Sequence, residues 1–327
     1  MKILYAIQGT GNGHLCRAMD IIPCLQQFGE VDVLISGIQA DIELPFEIKY
    51  KLHGMSFIFG KSGGVDLWRT FMSSTIRKFI QEINELPVEK YDLVINDFEP
   101  ISAWACQTKD VPCIGLSHQI GALHSSSPKP DEGDVMGKFI MKNYAPVTHS
   151  YGFHFKSYHK SIYTPVIREP IRNLVPSNKG HYTVYLPSYD DAHLLKHLNK
   201  FDVKWEVFSK HNSKPFVFRN VHVNPINSDA FVKSMASSAG VLCGAGFETP
   251  AEALYLGKKL LVIPMKNQYE QHLNAAALKE IGVPVIKSLK RKYEFNIDLW
   301  LNNDENVQVY YPDQTMEIIE TLIKNHS

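Results

Sequence analysis

The stretch from Gly240 to Asn274, GVLCGAGFETPAEALYLGKKLLVIPMKNQYEQHLN, constrains the fold of this chain more than any other. It predicts a short apolar strand (Val241 to Cys243), a small-residue turn, a helix from about Thr249 to Tyr255 and a second strand (Lys259 to Pro264). A strand, a helix and a strand in this order form the unit of a parallel α/β sheet. Such sheets bind ligands at the carboxyl ends of their strands, where helix N-termini present unpaired N–H groups.

The residues of this turn suit a nucleotide. Gly244 and Gly246 let the backbone approach an anion closely, and Thr249 adds a hydroxyl in the first helical turn. Glu252 follows about one turn later, where its carboxylate can accept hydrogen bonds from ribose hydroxyls. In the alternative interpretation, the glycines only make a strand-to-helix turn and Glu252 is a solvated helix residue. Beyond the second strand, the side chains placed to read sugar hydroxyls are Glu270, Gln271 and Asn274.

A second small-residue turn follows the first predicted strand, Lys2 to Ile7. Its sequence, QGTGNGHLCRA, leads into apolar residues at helical spacing. The third glycine comes one residue too early for the GxGxxG of a dinucleotide site. The next strand, Val31 to Ile35, ends in Ser36 and Gly37, whereas an NAD site needs an acidic residue that holds the ribose. An NAD-dependent oxidoreductase is therefore disfavoured.

These two stretches together resemble the GT-B glycosyltransferases. The resemblance is to the branch that includes the N-acetylglucosaminyltransferase of peptidoglycan synthesis and the UDP-glucuronosyl and plant UDP-glycosyltransferases. It implies an α/β protein with two Rossmann-like parallel-sheet domains that face each other across a cleft. It also implies that Thr249 contacts a phosphate, that Glu252 contacts the ribose, and that Glu270 with Gln271 contacts the donor sugar.

The same resemblance points to two catalytic residues in the N-terminal half. His14 would be the general base that deprotonates the acceptor, a task that suits imidazole because its unperturbed pKa lies near neutral pH. Asp97, at the end of the predicted strand Tyr91 to Asn96, would orient His14 and stabilise its charged form. The alternatives are that His14 caps its helix or binds a phosphate, and that Asp97 caps the helix beginning near Ile101. His118 is either an acceptor-side contact or a structural histidine.

Other donor-side candidates are single residues. Gly11 and Gly13 belong to the first turn. Arg168 resembles an arginine near the donor diphosphate, although pairing with Glu169 is the equal alternative. Ser188 lies in the turn Pro187 to Asp191, which is bulky and acidic where the family usually has glycines. The position of Ile226, after Asn224-Pro225, corresponds to the backbone that holds the nucleobase.

Length and proline content indicate two domains. A chain of 327 residues exceeds what one hydrophobic core usually supports. The prolines of Tyr163 to Pro176 indicate a linker, and we predict an N-terminal domain at 1–165, the linker at 166–176 and a C-terminal domain at 177–327. In this fold the last helix, about Asp313 to Lys324, often crosses back to the N-terminal domain. A glycine-rich loop from His53 to Gly64 and a helix from Asp66 to Glu85 are predicted in the N-terminal half.

Composition excludes several classes of protein. Equal numbers of basic and acidic residues, 34 of each, and the lack of a basic run argue against a nucleic-acid partner. Five cysteines without a CxxC pair predict free, buried thiols. With neither a signal-peptide core nor a membrane-spanning run, we expect a cytoplasmic protein, and peripheral membrane contact stays open because acceptors of this class include lipids. We find no Asp-x-Asp motif and no His/Cys cluster, so no metal or other cofactor is expected.

We therefore predict an inverting, metal-independent glycosyltransferase. It would move a sugar from a nucleotide-sugar donor, UDP-linked by resemblance, to the hydroxyl of a sugar, lipid or small-molecule acceptor. One rival on the same fold is a non-hydrolysing UDP-sugar 2-epimerase, which needs no acceptor. The other is a non-catalytic subunit that binds sugar nucleotides, which the altered turn at Pro187 to Asp191 keeps open.

Overall fold

The computed structural model describes residues 1–37, 44–54 and 75–327. Most of the predicted loop from His53 to Gly64 and the first part of the predicted helix from Asp66 to Glu85 lie outside these residues. The chain divides into two compact units: residues 1–127, 132–168 and 312–327 form the first, and residues 128–131 and 169–311 form the second.

The first unit is built on a parallel sheet. Over the described residues its strand order is β3-β2-β1-β4-β5-β6-β7. Every residue of the central strand after Lys2 is buried, as expected for a parallel strand covered on both faces, which explains its nearly continuous apolar sequence. The order reverses between β1 and β4, and ligands of open α/β sheets bind at such a switch point. The strands are β1 (Lys2–Gln8), β2 (Glu30–Ser36), β3 (Ile48–Leu52), β4 (Leu93–Asp97), β5 (Ile114–Ser117), β6 (His149–Phe153) and β7 (Ile162–Tyr163).

Helices cover this sheet. Leu4 and Leu34 of the sheet share a core with Phe79 and Ile101 from two of the helices. The C-terminal helix belongs to this unit and packs against the first helix of the chain. The helices are α1 (Asn12–Leu25), α2 (Thr75–Glu85), α3 (Pro100–Thr108), α4 (His118–Leu123), α5 (Val135–Tyr144) and the C-terminal helix (Thr315–His326), with a 3-10 turn at Val88–Lys90.

Helix α4 lies in direct backbone contact with β6 because both carry glycine where they meet. A Cβ added to Gly121 would lie 2.2 Å from the Phe153 carbonyl oxygen, and one added to Gly152 would lie 2.4 Å from the Gly121 nitrogen. No side chain fits at either position. Since α4 begins at His118, this contact fixes the position of the chain that follows β5.

The second unit has a mostly parallel sheet. Over the described residues its order is β10-β11-β9-β8-β12-β13, and only β10 with β11 is antiparallel. This order reverses between β8 and β12, so the second unit has its own switch point. The strands are β8 (His181–Tyr185), β9 (Lys204–Ser209), β10 (Phe216–Phe218), β11 (Val221–Pro225), β12 (Gly240–Gly244) and β13 (Lys259–Ile263).

The apolar pattern from Phe216 to Pro225 predicts a single strand, but this prediction is wrong, since the stretch forms the hairpin β10-β11. Arg219 adopts a φ of 53°, which turns the chain, and the Asn220 amide donates to the carbonyl oxygens of Phe201 and Val203 at 2.7 Å each. Apolar residues lie on both sides of the turn, so the apolar pattern of the sequence did not indicate it.

The core of the second unit is rich in aromatic rings. Trp205 is fully buried, and Tyr182 contacts the rings of both Trp205 and Trp300. The helices are α6 (Glu169–Arg172), α7 (Asp191–Leu198), α8 (Ser228–Ser237), α9 (Glu248–Tyr255), α10 (Tyr269–Glu280) and α11 (Glu294–Asn302), with a 3-10 turn at Arg291–Tyr293.

All five cysteines are free, as predicted, and each is buried except Cys24, which is half-buried. Within the described residues, no helix is both long and apolar enough to cross a membrane.

Candidate active site

His14 and Asp97 meet at the switch point of the first sheet. His14 lies in the first turn of α1, which follows β1, and Asp97 is the last residue of β4. The two strands are neighbours, with Ile7 paired to Asp97. His14 Nδ1 lies 2.9 Å from Asp97 Oδ1, and the His14 side chain is 12% exposed while that of Asp97 is fully buried. One imidazole edge is thus held by a buried carboxylate.

Arg17 also binds Asp97. It lies three residues after His14 on α1, and residues at this spacing share a helix face. Arg17 Nη2 lies 2.8 Å from each Asp97 carboxylate oxygen, and Arg17 Nε lies 3.2 Å from Oδ2. Burial alone would raise the pKa of Asp97, but the charges and hydrogen bonds of Arg17 and His14 outweigh it and hold that pKa below its ordinary value. Asp97 is therefore a buried anion.

The turn after β4 is locked by side chains. The Asn96 amide nitrogen donates to the Glu99 carbonyl at 2.6 Å, and its oxygen accepts from the Glu99 nitrogen at 3.1 Å. Between them, Phe98 adopts a φ of 58°, a conformation that a bulky residue rarely takes. Strain of this kind tends to persist at functional sites, where the surrounding structure enforces it. Here the hydrogen bonds between Asn96 and Glu99 close the turn that directly follows Asp97.

Two alternatives from the sequence are wrong. Helix α3 is capped by Glu99, whose carboxylate accepts from the nitrogens of Ile101 at 2.8 Å and Ser102 at 2.6 Å, and not by Asp97. Helix α1 begins after Gly11, without a side-chain cap, so His14 does not cap it either.

The chain after β5 contributes two buried side chains. His118 Nδ1 lies 3.0 Å from the Phe153 carbonyl oxygen and therefore carries a proton that it donates there. The Gln119 side-chain nitrogen lies 3.3 Å from His14 Nε2, on the imidazole edge opposite Asp97. Gln119, more than His118, thus reaches the candidate base.

In the second unit, α10 is tied to the glycine turn that follows β12. The Gln271 oxygen accepts from the Met265 nitrogen at 2.8 Å, and a Cβ on Gly244 would lie 3.4 Å from that oxygen. Asn274 is fully buried and donates to the Ala245 carbonyl at 3.0 Å, so in this structure it supports the turn. A Cβ on Gly246 would meet nothing within 4 Å, which leaves this side of the turn open.

The other donor-side candidates are distributed over both units. Thr249 is half-buried in the first turn of α9, and Glu252 of the same helix is buried. Glu270 is half-buried in the first turn of α10. Ile226 is exposed directly after β11. In the first unit, Gly11 and Gly13 flank the start of α1, and Arg168 is the half-buried residue before the second unit begins.

The acidic turn before α7 has structural partners. Asp190 caps α7 by accepting from the His193 nitrogen at 2.7 Å. Asp191 accepts from Ser209 Oγ at 2.6 Å and from the Asn212 amide. Ser188 is exposed at the tip of the turn. Both carboxylates are thus engaged by their own unit.

Across the described part of the chain, no three His, Cys, Asp or Glu side chains are grouped to hold a metal ion.

A model described as glycosyl transferase family 1 matches residues 1–298. The chain belongs to glycosyl transferase family 1. The predicted family and enzyme class are therefore confirmed, and the protein is a glycosyltransferase.

Solved structures similar to this glycosyltransferase confirm the GT-B fold. One is UGT89C1 of Arabidopsis thaliana in complex with UDP-L-rhamnose, with a TM-score of 0.61 and 13% identity, covering 99% of this chain and 94% of that one. Another is MurG of Acinetobacter baumannii, with a TM-score of 0.59, 14% identity and 99% of each chain covered. The glycosyltransferase SsfS6 of Streptomyces sp. SF2575 has a TM-score of 0.57, 15% identity and 99% of each chain covered. A comparison with curated proteins gave no match.

Two residues beside the candidate base of this glycosyltransferase, Arg17 and Gln119, were not predicted from the sequence. Arg17 stood in the GHLCRA motif, and its spacing of three from His14 was the available signal. Gln119 followed a strand that ends beside β4, but its approach to His14 depends on the glycine contact between α4 and β6.

Proposed function

We propose that this glycosyltransferase moves a sugar from a UDP-linked donor to an acceptor hydroxyl, with inversion at the anomeric carbon and without a metal ion. The hydrogen bond from His14 to the buried Asp97 carries this proposal. This hydrogen bond supports a base role for His14, because the buried Asp97 carboxylate determines which imidazole nitrogen accepts the proton.

In the proposed reaction, His14 Nδ1 keeps its proton and donates a hydrogen bond to Asp97, so that the lone pair lies on Nε2. Nε2 takes the proton from the acceptor hydroxyl as the oxygen attacks the anomeric carbon. The new C–O bond forms on the face opposite the nucleotide, and the bond to the diphosphate breaks with its electron pair leaving on the diphosphate. A single displacement of this kind inverts the configuration. General-base catalysis contributes about 10²- to 10⁴-fold.

The second unit would hold the donor. The open backbone at Gly246 and the hydroxyl of Thr249 suit the diphosphate, and the carboxylate of Glu252 suits the ribose. Glu270 and Gln271 would bind the sugar, with Asn274 fixing the turn. N–H groups of the turn and of α9 would offset the leaving charge. Further donor contacts are proposed for Gly11, Gly13, Arg168, Ser188 and Ile226.

A neighbour bound to UDP-L-rhamnose and another bound to dTDP suggest which nucleotides to test first. Thermal melting would be recorded with UDP, dTDP, GDP, ADP and common UDP-sugars. A ligand at 100-fold its dissociation constant stabilises by about 2.7 kcal/mol, which shifts the melting point by several degrees. We expect the shift with UDP compounds, and a shift with another base alone would refute the donor assignment.

Turnover would then be measured as release of the nucleoside diphosphate with a panel of sugar, lipid and small-molecule acceptors. We expect His14→Ala to abolish acceptor-dependent release while keeping the thermal shift with the donor. If His14→Ala lost acceptor-dependent release and the thermal shift with the donor to the same extent, His14 would bind a phosphate and would not be the base. Conversion of a UDP-sugar to its epimer without acceptor would refute transfer in favour of the epimerase. Binding without turnover on any acceptor would favour a non-catalytic subunit.

Contact with a membrane face is part of the same proposal. Val135, Met136 and Phe139 are exposed on α5, beside the exposed Lys138 and Lys142. Apolar residues next to lysines on one helix face are typical of interfacial helices. Sedimentation with neutral and anionic vesicles tests this contact, and we expect binding that Phe139→Asp abolishes. Wild-type protein that stays in the supernatant with both lipids would refute it.

A further inference from the structure

A permanent cation lies beside the proposed base. The Arg17 side chain is 2% exposed, and its Nη2 atom lies 3.1 Å from His14 Nδ1. The same Nη2 atom contacts both oxygens of Asp97 at 2.8 Å. In a Ser-His-Asp triad, the buried carboxylate accepts a hydrogen bond from the histidine Nδ1–H and no arginine pairs with it in that scheme. Here a single buried carboxylate is shared between an imidazole and a guanidinium.

The shared carboxylate sets up a competition at His14 Nδ1. Arginine stays protonated and has no acceptor atom, so Arg17 Nη2 can only donate. If Nδ1 carries a proton, it donates to Asp97 at 2.9 Å, and the lone pair is on Nε2, where an acceptor proton can go. If Nδ1 carries the lone pair, it accepts from Arg17, and Nε2 is already protonated. Asp97 therefore favours the reactive tautomer and Arg17 opposes it.

Gln119 contacts the imidazole edge that carries the reactive nitrogen, Nε2. Its side-chain nitrogen, 3.3 Å from His14 Nε2, can donate to a lone pair there but not to an N–H. This contact and the shorter distance to Asp97 both agree with a proton on Nδ1. In the resting state, the reactive nitrogen Nε2 is then covered by the Gln119 amide, which the acceptor hydroxyl replaces.

Arg17 acts most strongly once the base has taken a proton. The imidazolium and the guanidinium would then lie side by side, and two cations would share the one charge of Asp97. Like charges at this distance oppose protonation, and pKa changes of one to three units are typical for close charged neighbours. The product state of the proton transfer is thus less stable than in a triad with an unshared carboxylate.

We propose that Arg17 is a positioning residue that limits the basicity of His14 by sharing Asp97, a role that rests on the proposed function. His14 then releases the proton readily after transfer, because a carboxylate shared with Arg17 binds the imidazolium more weakly than an unshared one.

The groups around this cluster also bear on the charge of His14. Among the described residues, the charged side chains in contact with His14 are Asp97 and Arg17. Tyr5, on β1, is fully buried, and its burial, followed by the nearby Asp97 charge, raises its pKa well above the usual value, so it stays neutral. On α4, Gln119 is neutral, and His118 is engaged with the Phe153 carbonyl.

The test compares two neutral variants, Arg17→Met and Arg17→Gln, with the charged variant Arg17→Lys. The matched control is Arg77→Met, an exposed arginine of α2 in the same unit. The acidic limb of kcat/KM against pH is measured for each. We expect the neutral variants to move this limb upward by about one pH unit or more, because the imidazolium gains an unshared carboxylate. Arg17→Lys and Arg77→Met should keep the wild-type limb.

A second readout needs no turnover. The ring-proton resonances of His14 are followed by NMR against pH in the free protein, with His14→Gln used for assignment. The midpoint should move upward in Arg17→Met or Arg17→Gln, whichever folds, and this holds even if no acceptor is found. A lower kcat with an unmoved acidic limb and an unmoved midpoint would overturn the proposal, since Arg17 would then only support packing. An upward midpoint without any glycosyl transfer would leave the charge-sharing intact and refute the proposed function instead.

Discussion

Replacing Asp97 with asparagine would remove the charge from a side chain that solvent does not reach. The carboxylate holds Arg17 Nη2 at 2.8 Å from each oxygen and His14 Nδ1 at 2.9 Å. Asp97→Asn leaves the Arg17 guanidinium buried without its counter-ion, and breaking a buried pair in this way costs about 3–5 kcal/mol. Since domains are stable by only about 5–15 kcal/mol, the first unit should melt roughly 10 °C lower.

The same change should also abolish most of the activity. An asparagine amide that donates to His14 Nδ1 forces the proton onto Nε2, where the acceptor proton has to go. The corresponding replacement in a serine-protease triad lowers kcat about 10⁴-fold, and we expect a loss of this order. Initial rates of nucleotide release would be measured below the melting point of the variant. Donor binding, measured by thermal shift, should be retained.

Asp110→Asn is the matched control, because it makes the same chemical change at an exposed position of the first unit. Its φ of 55° is also one that asparagine tolerates. The control should keep the wild-type melting point and kcat. If Asp97→Asn also melted like the wild type, the buried ion pair would not stabilise the unit. An unchanged kcat in Asp97→Asn would exclude its role in setting the tautomer.

The stabilisation of the fold by Asp97 depends on pH in a definite direction. The pKa of Asp97 is lowered in the folded protein, so its stabilising contribution is complete above the ordinary value of 3.8 and is lost as the pH falls through the folded-state pKa. The stability difference between wild type and Asp97→Asn should therefore shrink as the pH falls below about 4. Denaturant unfolding at a series of pH values measures it, and a difference that grows between about pH 4 and about pH 2 would contradict the assignment.

Three further outcomes are expected from the structure and from the proposed function. Glu252→Ala should lose the thermal shift with UDP, whereas the control Glu280→Ala, at the exposed end of α10, should keep it; an equal shift in both variants would remove Glu252 from the donor site. Gly152→Ala places a Cβ 2.4 Å from the Gly121 nitrogen, so thermal melting should show a loss of about 1–3 kcal/mol or more, while Gly133→Ala, with nothing within 4 Å, melts like the wild type. Exhaustive treatment with EDTA should leave the rate of transfer unchanged, and restoration of a lost rate by a divalent ion would refute metal independence.

Local sequence patterns predicted most of the elements. The apolar run of β1 and the strand, turn and helix around Gly244 are specified by residues close together in the chain, so periodicity and glycine placement reveal them. The hairpin β10-β11 was missed because its turn uses Arg219 and Asn220, which lack the glycine that marks most tight turns.

The meeting of His14 with Asp97 was predicted from the resemblance to the GT-B glycosyltransferases, and the structure brings the two together because β1 and β4 are neighbouring parallel strands. Other parts of the site were not predicted. Whether Asp97 or Glu99 caps α3 depends on the strained turn at Phe98, and adjacent acidic residues look alike in the sequence.

The sequence by itself thus determined the strand-turn-helix units and the residue types at their ends, because short-range spacing controls both. Only the tertiary structure decided which side chains share a partner. Arg17 and His14 converge on Asp97 across 80 and 83 residues of chain, and Gln119 reaches His14 across 105. Contacts of that range depend on how helices pack on the sheet, down to two glycines that let α4 contact β6, and no local pattern encodes them.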